Sequence, residues 1–412
     1  MTAATLTAPG PLDALKDVQT WDASKASEAA IYAGEGTNLS ARARSRRGKR
    51  NPNPAYNRAL LEVAHLYEAV LSGDRRAGLD FVENMSTSDF SNLFGDILDR
   101  QILARYISQP VQWSALAKRG RVRDFRQVKR FTLDGGEAVL GDVKQLSEYP
   151  AASLADNAYT YQVGKKGRRI ALSWEDLIND DLDAFASIPD RLGNAARRTE
   201  EKFVTALYAA AGGPNSSFFS SGNKNLVASG GSSALSITSL QAAFTLLASQ
   251  VDTDGGPIYI EGVTLVVPPA LMVVAQNILN ATEIWTAIGS GGASSDAGRG
   301  DQLRAVNWMA NKVKLVTNPW LPIVSTSGTF GATAWYLFSD PNVGRPGMEI
   351  GFLTGHETPE LFQKAPNAMR VGGGNVDPSD GDFDSDAVEW KLRHVIGGTL
   401  MDPKAAVASP GQ

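Results

Sequence analysis

Apolar residues recur at helical spacing in three long stretches. From Pro54 to Leu71, one face collects Tyr56, Leu60, Leu61, Ala64, Tyr67, Val70 and Leu71, which predicts a helix. Pro54 suits its first turn, and Ser72-Gly73-Asp74 stops it. A second helix is expected to run to about Asn84. Thr87-Ser88-Asp89 then offers capping oxygens. Phe90, Leu93, Phe94, Ile97, Leu98, Ile102, Tyr106 and Ile107 mark a long helix that Pro110 ends. The third stretch carries Leu182, Phe185, Ile188, Leu192, Ala195, Ala196, Phe203, Ala206, Leu207 and Ala210. Asp180, Asp181 and Asp183 stand at its start, where negative charge suits the helix dipole. Pro189 inside it predicts either a kink or a start near Ser187, where proline falls in the first turn. At ~1.5 Å per residue, a helix of about 20 to 30 residues spans roughly 30–45 Å.

The pattern changes between the second and third of these helices. Arg121–Leu133 and Tyr159–Trp174 are strand-like arms with scattered β-branched and aromatic residues. Asp134-Gly135-Gly136 is a turn signal, and 137–157 is irregular. Both arms are strongly basic: Arg119, Arg121, Arg123, Arg126, Lys129 and Arg130 on the first, Lys165, Lys166, Arg168 and Arg169 on the second. With few large apolar side chains this ribbon cannot build a core of its own, and it is expected to lie on another copy of the chain. After a loop over 212–233, short elements alternate. Helices are expected at Ser239–Ser249 and Ala270–Leu279, and strands at Ile258–Val267, Val313–Thr317, Ala334–Phe338, Met348–Phe352 and Val388–Ile396. The class is α+β, with sheets built largely from segments far apart in sequence.

Composition narrows the function. The 412 residues, 43% hydrophobic and 20% charged, suit a globular chain of two or three domains. There is no Cys, so disulfides and thiolate metal sites are excluded. The start of the chain lacks the pattern of a signal peptide, and no apolar run approaches a membrane span. The first 212 residues carry 29 basic and 27 acidic side chains and the remaining 200 carry 11 and 17. Such a split either lets copies attract one another or is ordinary drift. Arg42, Arg44, Arg46, Arg47, Lys49 and Arg50 form a basic run that either contacts phosphates or is a solvated linker.

No catalytic or cofactor motif competes. The glycines of 289–294 and 372–374 match neither a P-loop nor a dinucleotide fingerprint. The aspartates at 377, 380, 382, 384 and 386 fail as a calcium loop, with Ser385 and Lys391 at the positions that need Gly and Glu. His65, His356 and His394 have no second histidine at ligand spacing, and no nucleophile elbow exists. His65 is expected on a helix surface and His394 in a strand. No catalytic residue, cofactor or metal is assigned. The ribbon's cations either track phosphates or meet acids on a neighbour, which Glu175, Asp176, Asp180, Asp181 and Asp183 would supply. The arms interleave few aromatics for base stacking, which favours the second reading.

The order of elements resembles the major capsid proteins of tailed bacteriophages, with the Hong Kong 97-type fold. The resemblance lies in Thr87–Phe94, Arg100–Tyr106, Val122–Phe125, Tyr161–Trp174, Asp181–Ala211, Thr264–Leu271 and Trp390–Thr399, the last closest to Mu-like head subunits. It implies an N-terminal extension over 1–85 (inner arm or scaffold), a helical segment over 86–117 and an extended loop over 118–172. A peripheral domain with its spine helix takes 173–236 and 340–386, and an axial domain takes 237–339 and 387–412. It further implies a non-enzymatic subunit forming hexamers and pentamers of an icosahedral shell around double-stranded DNA, assembled in the bacterial cytoplasm without a membrane. Portal, scaffold, protease and decoration proteins are the partners of such shells. Some relatives crosslink a loop lysine, a place Lys144 would fill. An encapsulin-like compartment shares the fold and is the alternative, as is a DNA-binding structural protein.

Overall fold

A computed structural model describes residues 54–71, 76–77, 88–134, 155–173, 182–227, 233–287, 302–365 and 387–411, apart from 253, 254, 259, 261, 311, 343 and 344, together with 367 and 383–384. In chain order the elements are α1 (Pro54–Leu71), α2 (Ser88–Ser108), β1 (Lys118–Val122), β2 (Val128–Asp134), β3 (Ala155–Tyr161), β4 (Gly164–Ser173) and α3 (Leu182–Tyr208). Then come α4 (Ile237–Ala248), β5 (Val263–Val267), α5 (Met272–Asn280), β6 (Glu283–Ala287), β7 (Gln302–Val306), β8 (Val313–Thr317), α6 (Leu321–Val324) and α7 (Phe330–Thr333). The last are β9 (Trp335–Ser339), β10 (Met348–Leu353), β11 (Glu360–Gln363), β12 (Ala387–Leu400) and β13 (Ala406–Ser409). The mixed class and the three long helices stand where the periodicity placed them. The helix expected before Asn84, the loop 289–296, Lys144, residues 1–53 and most of the aspartate cluster lie outside the described residues.

Two sheets flank one long helix. The first runs β1-β10-β12-β11, with β4 also paired to β12. β1 joins β10 in parallel, and the other pairs are antiparallel. The second runs β8-β5-β9-β13. Its central strand β9 is buried throughout: Trp335 and Leu337 pack under α4 and α5, while Tyr336 and Phe338 face Tyr208 of α3. Strand β12, grouped with the axial segments on resemblance, is hydrogen-bonded into the first sheet, and only β13 of that segment enters the second.

The ribbon departs from expectation. Its two arms do not pair with each other along their length, and much of it lies on its own chain. β1 is given to β10, and β4 runs along ten residues of β12. Only β2 and β3 form the two-stranded ribbon, and β3 begins at Ala155, inside the stretch read as irregular. Pairing partners more than 200 residues away explain this, because a β-edge accepts any strand whose pattern fits.

Helix α3 is 27 residues long, about 40 Å, and begins at Leu182, so Pro189 lies beyond its first turn. Against it packs α2. Gly193 allows the approach: a Cβ there would stand 2.9 Å from the Ile102 carbonyl oxygen and 3.1 Å from Arg105 Cβ. Ile102, Tyr106, Leu192, Ala196 and Leu392 close the contact. Replacing Gly193 with alanine is expected to destabilise the unassembled subunit by about 1–3 kcal/mol, measured by urea unfolding; an unchanged midpoint would refute the close packing.

Candidate assembly site at the base of the ribbon

The buried stripe of α3 holds charge. Leu192, Ala196, Arg197, Glu200, Glu201, Val204, Thr205 and Tyr208 are all buried, at the i, i+3, i+4 spacing of one helix face. Glu200 is fully covered. Its Oε1 accepts from the Tyr106 hydroxyl at 2.5 Å and lies 2.8 Å from His394 Nε2. Its Oε2 accepts from Trp113 Nε1 at 3.0 Å and from Arg197 at 2.7 Å. Arg197 also donates to the Tyr106 carbonyl at 3.0 Å and stacks on that ring. One carboxylate on α3 thus ties α2, the turn leading into β1, and β12. Burial opposes its charge, but His394 and Arg197, with the Tyr106 hydroxyl, outweigh that and hold its carboxyl below the usual range.

Glu201 beside it differs. Its Oε1 accepts from the backbone N–H groups of Gln112 and Trp113 at 2.8 and 3.4 Å. Burial pushes its carboxyl up to about 7 against those two hydrogen bonds, and the neighbouring Glu200 charge adds to the rise. Arg197 lowers it, but burial outweighs that.

Beyond this root the ribbon's cations divide into two groups. Arg119 and Arg121 reach Glu357 at 3.4 and 3.0 Å. Arg130 meets Glu349 at 2.7 Å, and Arg169 meets Glu389 at 3.5 Å. These four have acids within the chain, a use the sequence reading did not foresee. Arg123, Arg126, Lys129, Lys165, Lys166 and Arg168 are exposed and form no salt bridge among the described residues. Lys165 and Phe125 lie 6.0 Å apart, and Gln162 donates to the Phe125 carbonyl at 2.6 Å, so the break in the first arm sits beside the start of β4. Of the acids expected opposite, Glu175, Asp176, Asp180 and Asp181 lie outside the described residues. Asp183 is on α3.

The sequence model of a family described as phage capsid protein matches residues 158–409, which takes in the returning arm, α3, the second sheet and all of the first except β1. The chain belongs to the phage capsid protein family. No curated protein sequence matches this capsid protein. Among solved structures it is similar to Gordonia phage Cozz (13% identity, TM-score 0.42, covering 72% of this chain and 85% of that one). It is also similar to the capsid of the cyanophage P-SCSP1u (13%, 0.43, 73% and 88%) and to the SrpI encapsulin of Synechococcus elongatus (10%, 0.41, 74% and 89%). With likenesses this low, the family assignment rests on the sequence match. That match bears out the expectation of a phage capsid shell protein, and the mixed helix and sheet structure agrees with the expected class. It does not single out the Mu-like branch.

His65 is exposed on α1 and His394 sits in β12, as read from sequence. The role of His394 as a buried partner of Glu200 was missed, as were Arg197 and Glu201. The available signal was the phase of α3: these charges fall between Leu192, Ala196 and Val204 on the apolar stripe.

The two adjacent carboxylates should respond oppositely to removal. Glu200→Ala removes the carboxylate partner of the buried Arg197 and His394 and is expected to cost about 3–5 kcal/mol. For Glu201 the folded pKa, about 7, lies above the usual 4.5. Ionisation therefore erodes stability as pH rises between those values. Glu201→Gln should stabilise the unassembled subunit by about 2–3 kcal/mol at pH 8 and give no advantage at pH 4. Urea unfolding across pH reads both; equal losses for the two variants would refute the contrast.

Proposed function

We propose that this capsid protein assembles into hexamers and pentamers that close an icosahedral shell around double-stranded DNA, in the cytoplasm of a bacterial host. The family match from residue 158 to residue 409 carries the reading. The structure supports it with the six exposed cations that form no salt bridge among the described residues, which would meet acids on a neighbour such as Glu175, Asp176, Asp180, Asp181 and Asp183. The four cations already paired within the chain, Arg119, Arg121, Arg130 and Arg169, shape the ribbon in the free subunit. Arg42, Arg44, Arg46, Arg47, Lys49 and Arg50 would face the packaged DNA, whose phosphates they match by counterion release. The divisions 1–85, 86–117 and 118–172, followed by peripheral and axial domains, belong to the same proposal, as do portal, scaffold, protease and decoration partners. The subunit's role is structural and involves no catalytic step.

Expression of the full chain should yield closed particles by electron microscopy; a subunit that stays monomeric under all assembly conditions would sink the proposal. Arg123→Glu, Arg126→Glu and Lys166→Glu together should abolish closed particles. The unfolding free energy of the subunit should move by no more than roughly 0.5 kcal/mol per site. Particles unchanged in number and size after that triple substitution would remove the ribbon's cations from the interface.

A further inference from the structure

Among the described residues, the two-stranded part of the ribbon, β2 with β3, pairs as strands only with itself. It leaves the body through two interruptions: 123–127 in the first arm and Gln162-Val163 in the second. Strand pairing therefore does not set its direction. Side chains and three glycines do.

Gly120, Gly351 and Gly397 lie at one register across β1, β10 and β12: Gly120 pairs with Gly351, and Gly351 with Gly397. Together they make a trough across three strands to which they contribute no side chain of their own. The crossing of the second arm lies in that trough. A Cβ on Gly351 would stand 2.4 Å from Tyr161 Cε2, and one on Gly120 would stand 3.0 Å from the Tyr161 hydroxyl and 2.1 Å from Glu349 Oε1. A Cβ on Gly397 would stand 2.3 Å from the Gln162 carbonyl oxygen. Tyr161 and Val163 are buried there with Val122, Leu353 and Val395. Polar contacts lock the seat. The Tyr161 hydroxyl donates to Glu349 Oε1 at 2.6 Å, and Arg130 Nε of β2 donates to the same oxygen at 2.7 Å. Arg130 also donates to the Arg121 carbonyl at 2.9 Å. Glu349 itself is buried, so its oxygens need these donors as partners.

We propose that the Gly120–Gly351–Gly397 trough and the Arg130–Glu349–Tyr161 cluster act as a positioning device that fixes the angle at which the β2–β3 ribbon leaves the body, and so selects which closed particle forms. The selection step rests on the proposed shell assembly; the anchoring step does not. Arg130, offered by the sequence as a contact to a neighbour, is here an internal positioning residue.

The test uses the full chain, with Arg130→Gln and Glu349→Gln as variants. Two measurements are made: amide exchange of 128–134 and 155–161 in the unassembled subunit, and particle diameters by electron microscopy. Both variants should speed ribbon exchange by roughly tenfold or more while exchange of β9 and β13 is unchanged. Their particles should show more than one diameter or open sheets where the parent shows one. If Glu349→Gln fails to fold, Arg130→Gln decides, because its side chain lies on the ribbon outside both sheets. Parent-like exchange and a parent-like single diameter in Arg130→Gln would overturn the proposal. If the parent itself forms no particle, the shell reading falls and takes the selection step with it. Exchange then decides the anchoring alone.

Discussion

The fold turns on the buried charge of Glu200. Taking a carboxylate out of water costs several kcal/mol unless its oxygens are paired on every side. Four donors from four places in the chain satisfy it: Tyr106, Trp113, Arg197 and His394. That requirement fixes α2, the turn before β1, and β12 against α3 at one point. Only four residues separate Trp113 from Lys118, where β1 begins, so the root of the ribbon is placed by the same group. Hydrophobic contacts of Ile102, Leu192 and Leu392 supply the surrounding attraction, which is non-directional. The charge network supplies the direction.

Glu201 shows why one such group suffices. It touches the same turn through Gln112 and Trp113, yet burial outweighs those hydrogen bonds and the nearby Arg197. The pair therefore places a firmly ionised group beside one that titrates near neutrality, at the joint between helix, arm and sheet.

The helices were legible because their apolar positions repeat over many turns, as with Tyr67 on α1 and Ile97, Ile102 and Tyr106 on α2. Strands β8, β9 and β10 were legible as dense β-branched and aromatic runs. The polar heart was not. Arg197, Glu200 and Glu201 look like a solvated helix face when read by residue type, and only the burial of their phase on α3 shows otherwise. The ribbon misled for a different reason. Its arms read as mutual partners because they are near in sequence, while the partner of β4 is β12, with Lys166 opposite His394 and Ile170 opposite Trp390. Nothing local announces such a pairing. The β6–β7 hairpin and the short strands β11 and β13 were missed for lack of a run long enough to show alternation. Glycines 120, 351 and 397 carried no signal singly, because their meaning lies in a shared register that only the folded sheet creates.

That register bears on how copies meet. Among the described residues β4 pairs on one side only, which leaves an edge open to strand addition. Lys165, Lys166, Arg168 and Arg169 occupy it, and repeated charge along an edge opposes pairing with a like edge. A subunit that must associate with itself yet close into a finite object gains from this, since edge-to-edge growth has no natural end. On the proposed assembly, association would run through side chains, where charge complementarity has orientation and can be satisfied once per neighbour. On that assembly, the cations of β4 oppose edge-to-edge growth while the exposed ones among them serve contact with a neighbour, and the trough beneath Tyr161 would set where the ribbon points.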